Sequence, residues 1–453
     1  MKTTAVILAA GQGTRMRSTR PKVLHPLLGK PILWYALKTA RQVTGTEPVV
    51  VIGHEADAVR DFIGDQAKVV VQETQLGTGH AVLQVEELLR GHSDQVLVIA
   101  ADMPLLSPET LQDMMDAHDS SMAAQTPITM LTTQSHDPRG FGRVVRDQSG
   151  RVIAIVEEAQ ATAEQLAIGE LGTSAYCFSA HWLWENLARI PLSSKGEYYL
   201  TDLIGIAASD NLFVQAVPAR HSREAIGINT RVHLAEAETA LRRRINEDWM
   251  LKGVTIIDPQ NTYIEPDVDI GPDTVIWPNT FLHGVTQVGG GCILGPNSII
   301  RDAQIGDHCE IFASVVETAV IEDDVDIGPF AHLRRGAHLA KGVHMGNFGE
   351  VKNSYLGPGT KMGHFSYVGD TTTGSNVNIG AGTITCNYDG QKKHPTDIGE
   401  GAFIGSDTML VAPVKIGAGA RTGAGAVVTK DVPSHTLSVG MPARVIRKLE
   451  KSD

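Results

Sequence analysis

Cysteine is scarce in this sequence and follows no metal-binding pattern. Only four cysteines, Cys177, Cys292, Cys309 and Cys386, occur among the 453 residues, and no two of them are spaced as CxxC. The common zinc-binding motifs use such pairs, so the spacing argues against a cysteine-based metal site.

Long apolar runs are also missing. No segment approaches the roughly 20 apolar residues that cross a membrane as a helix. Residues 1–10 look superficially like a signal peptide, but their apolar core is too short and runs straight into Gly11-Gln12-Gly13. We therefore expect a soluble, cytoplasmic protein without membrane insertion.

Basic residues are in the minority. Lys and Arg number 39 against 51 Asp and Glu, which gives a formal net charge of -12. This balance argues against nonspecific binding to nucleic acid, and we expect no nucleic-acid partner. Any phosphate ligand must therefore meet a local cluster of cations.

A single aliphatic residue recurs every six positions through the last two-fifths of the chain. This spacing fits neither a helix nor a hairpin and is typical of the hexapeptide repeats of a parallel β-helix. Each coil needs its neighbours to cover its apolar residue, so only the stack is stable. The recurring positions are Ile270, Ile276, Leu282, Val288, Leu294, Ile300, Ile321, Ile327, Leu333, Leu339, Met345, Val351, Ile398, Ile404, Leu410 and Ile416.

Two of the cysteines fall within this repeat. Cys292 and Cys309 both take the small fifth place of their hexapeptides, which points inward. We expect them about one coil, ~4.8 Å, apart as buried, reduced thiols.

The first half of the chain alternates between strand and helix patterns. Apolar runs at 4–9, 48–52, 68–71 and 95–100 are separated by helical patterns at 32–42, 56–62 and 79–89. This alternation predicts a doubly wound parallel sheet, whose ligands bind at the carboxyl ends of the strands.

At ~150 residues per domain the length suggests about three units, but two are favoured because solenoids run long. Residues 229–250 are rich in helix formers and predict a linker helix. We interpret its Arg242, Arg243 and Arg244 as a solvated face. The predicted organisation is a first domain at 1–228, the linker helix at 229–250 and the β-helix at 251–453.

A glycine-rich turn follows the first strand. Gly11 and Gly13 allow backbone amides to approach an anion, and Arg15 and Lys22 can offset phosphate charge. The turn is neither a Walker A loop nor a dinucleotide fingerprint. Asp102 ends a predicted strand, where it could hold Mg²⁺. On spacing alone, a turn or helix N-cap residue is the other interpretation of Asp102.

In the β-helix, His364 takes the third, outward place of its hexapeptide. An outward imidazole can exchange a proton near neutral pH, although other outward histidines occur in the same repeat. Residues 385–397 interrupt the hexapeptides, and loops extruded from a solenoid often carry its binding function.

Two groups of short sequence segments resemble the signatures of known enzymes. Residues 8–16 and 21–24 closely resemble the signature of sugar-1-phosphate nucleotidyltransferases, and matches at 72–80, 101–102, 140–143, 156–157, 198–202 and 227–229 follow in order. Residues 362–370, 376–382 and 386–390 resemble the acetyltransferase half of one family. That family is the bifunctional N-acetylglucosamine-1-phosphate uridyltransferases and glucosamine-1-phosphate N-acetyltransferases, and the resemblance covers essentially the whole chain.

The resemblance implies a Rossmann-like nucleotidyltransferase domain followed by a left-handed parallel β-helix. It implies acetyl transfer from acetyl-CoA to glucosamine-1-phosphate, then uridylyl transfer from UTP to N-acetylglucosamine-1-phosphate with release of pyrophosphate. The product would feed peptidoglycan and lipopolysaccharide precursors. The family also implies Mg²⁺ as cofactor and a homotrimer in which neighbouring β-helices share each acetyl-transfer site.

For the uridyltransferase, the resemblance assigns Asp102 and Asn229 to the metal and Lys22 and Arg15 to catalysis. The implied nucleotide and sugar contacts are Leu8, Ala9, Ala10, Gly11, Lys22, Gln72, Gly77, Thr78, Ala101, Gly142, Glu157, Gly172 and Asn229.

For the acetyltransferase, the resemblance makes His364 the base that takes a proton from the substrate ammonium. Arg334 and Lys352 would bind the sugar phosphate, with Tyr367 and Asn378 positioning the ring. Solvated surface charge is the alternative for each cation taken alone. The implied acetyl-CoA contacts are Ala381, Asn387, Tyr388, Ser406, Ala424 and Arg444.

The sequence departs from the family pattern at three places. Gly172 stands where an asparagine is expected to contact the N-acetylated sugar, and Ala101 replaces a glycine. Met441 replaces an arginine expected to bind CoA, and we assign Arg444 in its place.

Three hypotheses follow: the two-reaction enzyme, a nucleotidyltransferase whose β-helix only trimerises it, and an acetyltransferase with an idle nucleotide-binding domain. The residues assigned to both sites favour the first.

Overall fold

The computed structural model describes residues 1–121, 126–135 and 140–448. The chain divides into two compact units, Met1–Leu241 and Arg242–Asp453. The last positions of the predicted second domain, 449–453, lie outside the described residues. Among the described residues, no helix has both the length and the apolar character needed to cross a membrane.

The first unit is built on a nine-stranded sheet. In chain order its strands are β1 (Thr3–Ala9), β2 (Val49–Ile52), β3 (Lys68–Val71), β4 (Gln95–Ala100), β5 (Ile128–Gln134), β6 (Gly142–Arg146), β7 (Val152–Val156), β8 (Glu170–Ser179) and β9 (Val214–Pro218). Across the sheet the order is β9-β5-β8-β4-β1-β2-β3, with β6 joined to β8 and β7 joined to β6. Strands β1 to β4 are parallel as predicted, whereas β8 runs antiparallel to β4 and β5 and makes the sheet mixed. A separate hairpin pairs Pro26–Leu27 with Lys30–Pro31.

Helices cover both sides of this sheet. They are α1 (Ile32–Thr44), α2 (Ala56–Ile63), α3 (Thr78–Leu83), α4 (Glu86–Leu89), α5 (Pro108–Ser121), α6 (Ala163–Leu166), α7 (Ala180–Asn186) and α8 (Asp202–Ser209). A further helix, α9 (Arg231–Leu251), begins in the first unit and ends in the second. Helix α1 buries Leu33, Leu37 and Ala40 against the sheet and ends at Gly45, whose φ of 63° suits glycine.

The predicted helix at 79–89 is two helices. The amides of Gln84 and Val85 bond to carbonyls only three residues back, those of Ala81 and Val82. This tighter turn separates α3 from α4 and leaves the Val85 side chain fully buried.

The second unit is a stack of short parallel strands on three faces, consistent with the left-handed β-helix expected of hexapeptide repeats. Face 1 contains Thr255–Ile256, Val275–Ile276, Ile293–Leu294, Glu310–Ile311, Asp326–Ile327, His344–Met345, Lys361–Met362, Asn378–Ile379, Phe403–Ile404, Arg421–Thr422, Thr436–Val439 and, antiparallel at its end, Arg444–Lys448.

The chain turns from face 1 to face 2 and then to face 3 in every coil. Face 2 contains Thr262–Ile264, Thr280–His283, Ile299–Arg301, Val315–Glu317, His332–Leu333, Gly349–Lys352, Ser366–Gly369, Ile384–Cys386, Met409–Val411 and Val427–Val428. Face 3 contains Asp269–Ile270, Gln287–Val288, Gln304–Ile305, Val320–Ile321, Ala337–Leu339, Ser354–Leu356, Thr371–Thr373, Thr396–Ile398 and Val414–Ile416.

The core of the β-helix is the predicted column of aliphatic residues. All members of the six-residue rhythm are buried in one hydrophobic cluster. Cys292 and Cys309 are free, fully buried and on adjacent coils, as predicted. The Cys292 thiol lies 3.2 Å from the carbonyl oxygen of Gly306, and the Cys309 thiol lies 3.0 Å from that of Glu322. The Cys292 thiol and burial together raise the pKa of Cys309, which favours the protonated, unreactive form.

The carboxyl-terminal half of α9 packs against the β-helix. Trp249 joins the core cluster, and Asn246 donates hydrogen bonds to the carbonyls of Pro259 at 2.8 Å and Thr262 at 3.0 Å. An indole on the apolar end of the stack shields the first coils from water.

The core column gives a direct test of stability. Leu294 is fully buried, whereas Ile293, its neighbour in the same two-residue strand, faces outward and is 39% exposed. We expect Leu294→Ala to lower the free energy of unfolding by about 2–5 kcal/mol because it leaves a cavity in the stack. Ile293→Ala, the matched control, should cost less than about 1 kcal/mol. Urea denaturation of the full chain followed by circular dichroism measures both, and equal losses would contradict the assigned inward and outward positions.

Candidate active sites

A cavity of about 710 Å³ opens in the first unit near the carboxyl ends of β1 and β4. The predicted residues that line it are Leu8, Ala9, Ala10, Gly11, Arg15, Lys22, Gln72, Gly77, Thr78, Asp102, Glu157 and Asn229. Ala101, Gly142 and Gly172 do not line the cavity. Most of the residues predicted for the uridyltransferase site therefore line one cavity.

The glycine-rich turn after β1 packs directly on Lys22. Gly13 has a φ of 61°, and a Cβ there would lie 2.6 Å from the Cβ of Lys22. Two single-turn 3-10 helices, Thr14–Met16 and Lys22–Leu24, complete the segment. The close approach holds the backbone and the lysine side chain against each other, which only glycine permits at this position.

Two cations and two oxygen ligands meet at this edge of the sheet. The Lys22 Nζ lies 2.6 Å from Asp102 Oδ2 and 3.2 Å from Asn229 Oδ1, and Arg15 Nη2 donates to the same Asn229 oxygen at 3.0 Å. The Asp102 carboxylate faces Lys22, and its backbone carbonyl accepts the amide of Ile228 at 2.8 Å. This carbonyl contact fixes the segment that carries Asn229.

Arg231 ties these elements together and was missed by the sequence analysis. Its Nη1 lies 3.2 Å from His25 Nδ1 and its Nε 3.4 Å from the carbonyl oxygen of Met16. Burial, and then the charge of Arg231, lowers the pKa of His25, so the imidazole is neutral and can accept from the guanidinium. No local pattern marks this pairing, because the residues are 206 positions apart.

The opposite end of the cavity is shaped by backbone contacts. Gln72 is buried and donates to the carbonyl of Gly77 at 3.1 Å, while its amide nitrogen lies 2.9 Å from His80 Nδ1. The Thr78 hydroxyl accepts the amide of Leu200 at 2.9 Å. These bonds hold the Gly77-Thr78 turn at the cavity wall.

Gly142 and Gly172 face each other across β6 and β8. Ile155 covers both glycines, and a Cβ at position 172 would lie 3.0 Å from the Ile155 Cδ1. The polar residues that line the cavity also include Glu157, which was predicted, and Ser174, Tyr176, Glu197, Tyr199 and Thr201, which were not predicted as site residues. Burial raises the pKa of Glu157, opposed by a hydrogen bond from Thr201 at 3.5 Å.

A second group of predicted residues lies on the β-helix. His364 is exposed at the corner between faces 1 and 2, the outward position that its hexapeptide place predicted. Ala381, Ser406 and Ala424 occupy the same corner of the next three coils, each two residues after an inward residue of face 1. Small side chains therefore follow the imidazole along the wall, one coil of ~4.8 Å at a time.

Cations gather at the far end of face 2. Arg334 and Lys352 follow Leu333 and Val351, which are paired on adjacent coils, and Tyr367 lies on the next coil. Arg334 also bonds to Glu350 at 2.9 Å. The charge of Lys393, reinforced by its hydrogen bond and by Arg334, lowers the pKa of Lys352. Positive charges gathered in one place favour the binding of an anion.

Lys393 was missed by the sequence analysis, although it lies in the segment predicted to be extruded. The loop leaves the stack after Ile384–Cys386 and returns at Thr396–Ile398. Within it Asn387 is buried and Tyr388 is 60% exposed. Asn378 lies on face 1 beside Lys361, and Arg444 is exposed in the terminal strand.

Comparisons with known proteins agree with this division. Residues 5–187 match the MobA-like NTP transferase domain, and residues 395–430 match the bacterial transferase hexapeptide family of six repeats. The chain is 47% identical to the bifunctional protein GlmU of Heliobacterium modesticaldum over 97% of this chain and 95% of that protein.

Two further relatives give the same result. The bifunctional protein GlmU of Trichlorobacter lovleyi is 46% identical over 97% of this chain and 96% of its own length. The one from Exiguobacterium sibiricum is 46% identical over 96% of each chain. The predicted family is confirmed: this chain belongs to the bifunctional GlmU proteins, transferases that join a nucleotidyltransferase domain to a hexapeptide-repeat domain.

Proposed function

We propose that the chain makes UDP-N-acetylglucosamine in two steps. The β-helix transfers an acetyl group from acetyl-CoA to glucosamine-1-phosphate, and the first unit then transfers a uridylyl group from UTP to the product. The observation that carries this proposal is that the predicted residues form separate sets, one around Lys22 and Asp102 in the first unit and one on the β-helix, which presents the exposed His364 and the cations Arg334, Lys352 and Lys393.

In the first unit, a phosphate oxygen of the sugar attacks the α-phosphorus of UTP and pyrophosphate leaves. Such transfers depend on positioning and on neutralising charge more than on covalent chemistry. Lys22 and Arg15 both donate to Asn229 Oδ1, so the two cations lie together and would stabilise the negative charge that develops on the phosphate oxygens. The amides of the glycine-rich turn provide further donors to the same phosphates.

Asp102 and Asn229 would hold Mg²⁺. The fit is good because both oxygens already converge on one ammonium, that of Lys22, and carboxylate and amide oxygens suit this ion. When bound, Mg²⁺ supplies positive charge that offsets the phosphates. Two protein ligands would suffice, since Mg²⁺ is usually bound through one or two carboxylates together with substrate phosphates and water.

In the β-helix, His364 takes a proton from the substrate ammonium, and the resulting amine attacks the thioester carbonyl. The C–N bond forms and the C–S bond breaks, and the nitrogen gives a second proton to the departing sulfur, so that the products are the N-acetylated sugar and the CoA thiol. Arg334, Lys352 and Lys393 hold the sugar phosphate. The small residues in line with His364 leave room for the pantetheine arm, with Asn387, Tyr388 and Arg444 as further CoA contacts.

We also propose a cytoplasmic homotrimer with predicted domain boundaries at residues 228 and 250. Light scattering should give three times the chain mass of 48.5 kDa.

Gly172 leaves the predicted sugar contact without a side chain. The loss of one hydrogen bond weakens the preference for the N-acetylated sugar by about 1 kcal/mol. Ser174 and Tyr199 line the same cavity, and we assign their hydroxyls to the acetamido group of the sugar.

Separate product assays test the two-step function. With glucosamine-1-phosphate, acetyl-CoA, UTP and Mg²⁺ present, we expect one free CoA and one pyrophosphate for each sugar. Omitting acetyl-CoA should prevent both products, whereas N-acetylglucosamine-1-phosphate should restore pyrophosphate alone. Pyrophosphate from the acetylated sugar without any CoA release would instead support a nucleotidyltransferase whose β-helix only trimerises it.

A further inference from the structure

The loop at 387–395 is attached at both ends to one residue, Asp370. At the start of the loop, Asn387 Nδ2 donates to Asp370 Oδ2 at 2.5 Å. At its end, the backbone amide of Thr396 donates to the Asp370 carbonyl at 3.1 Å. Asp370 lies on the stack itself, directly after the face 2 strand Ser366–Gly369.

The other groups of Asp370 are bonded to the preceding coil. Its Oδ1 accepts Asn353 Nδ2 at 2.5 Å, and its amide donates to the carbonyl of Lys352 at 3.2 Å. Each carboxylate oxygen thus receives one amide donor from a different part of the chain. Hydrogen bonds to an ionised acceptor are stronger than those between neutral groups, so the Asp370 carboxylate holds the loop tightly to the stack.

The loop is also braced internally. Asp389 accepts the amides of Gln391 and Lys392, both at 2.8 Å, and His394 Nε2 at 2.6 Å. The amide of His394 returns to the Asn387 carbonyl at 2.7 Å. A loop tied together in this way moves as one body, so its attachment point decides where all its side chains lie.

We propose that Asp370 is a positioning residue for acetyl transfer. It sets Asn387 at the CoA contact and carries Lys393 toward Lys352, so that the loop completes the phosphate site. The inference rests on the proposed acetyltransferase function of the β-helix. A displacement of about 1 Å in such a site is enough to lower the rate by roughly 100-fold.

Asp370→Gly removes the carboxylate and spares the backbone. The φ of Asp370 is 49°, which glycine adopts freely, so the bonds of its amide and carbonyl persist. We expect kcat/KM for acetyl-CoA to fall by roughly 10- to 100-fold, with a higher KM for acetyl-CoA. The pH dependence of kcat should not change, because His364 is untouched. Uridylyl transfer in the same protein should be normal.

Asp302→Gly is the matched control. Asp302 also has a φ of 49°, also follows a face 2 strand, and accepts a backbone amide, that of Val285, at 3.1 Å. Because it touches no part of the loop, its replacement should leave both reactions unchanged. Comparable losses of acetyl transfer in the two variants would show a general effect on the stack and overturn the proposal.

A double-mutant cycle separates positioning from simple stability. If Asp370 acts through Asn387, Asp370→Gly in an Asn387→Ala background should cost much less than it costs in the wild-type chain. Fully additive losses, or wild-type acetyl transfer in Asp370→Gly, would overturn the proposal. Absence of acetyl transfer in the wild-type protein would instead overturn the proposed function, so the two failures are distinguishable.

Discussion

His364→Ala is expected to lower CoA release from acetyl-CoA and glucosamine-1-phosphate by roughly 10²–10⁴-fold. An ammonium cannot attack a thioester until it loses a proton, and alanine leaves no base at this corner of the β-helix. Pyrophosphate formation from N-acetylglucosamine-1-phosphate and UTP should be unchanged, since we assign that reaction to the residues around Lys22. Free thiol and pyrophosphate assays on one protein sample measure both.

His308→Ala provides the matched control for this variant. His308 is another outward histidine of the stack, 71% exposed and 4.0 Å from Asp324 on a neighbouring coil. Its replacement should leave both reactions at the wild-type rate. If His364→Ala retained acetyl transfer, or stopped both reactions in a folded protein, the assignment of His364 would be wrong.

The β-helix was predictable from sequence because its determinants are local. Whether Leu294 or Ile293 points inward is decided by a six-residue period that any short segment displays. The same rule placed Cys292 and Cys309 on adjacent coils and His364 on the outer wall.

The mixed sheet was less accessible to sequence reasoning. Strands β1 to β4 follow one another along the chain and show the expected alternation with helices. Strand β8 inserts between β4 and β5 and pairs antiparallel with both, a choice made by long-range contacts. Its apolar pattern is compatible with either direction, so the local sequence contains no signal for the outcome.

Among the residues of the candidate sites, those that belong to a motif were predictable and those that do not were missed. Family resemblance, not spacing, joined Lys22 to Asn229, which lie 207 positions apart and meet at 3.2 Å. Where a contact has no motif, as for Arg231 with His25 or Lys393 with Lys352, sequence reasoning missed it. The shared feature of the missed residues is that they support a motif residue from another segment.

Asp102→Ala should have the opposite effect to His364→Ala. It removes one of the two oxygen ligands that we propose for Mg²⁺ and leaves Lys22 without the carboxylate at 2.6 Å, so pyrophosphate formation should fall by roughly 10²–10³-fold or more. CoA release should be unchanged. Asp210→Ala, which breaks only the surface pair with Arg189, is the control and should leave both reactions intact.

Mixing the Asp102→Ala and His364→Ala proteins gives the strictest test of this division. Asp102→Ala supplies N-acetylglucosamine-1-phosphate, which diffuses to the intact nucleotidyltransferase site of His364→Ala. We expect UDP-N-acetylglucosamine to form from glucosamine-1-phosphate after a lag that shortens as either protein is increased. Neither variant alone should form it at a comparable rate. Failure of the mixture, with each protein active in its own reaction, would mean that the acetylated sugar does not pass freely between the two sites.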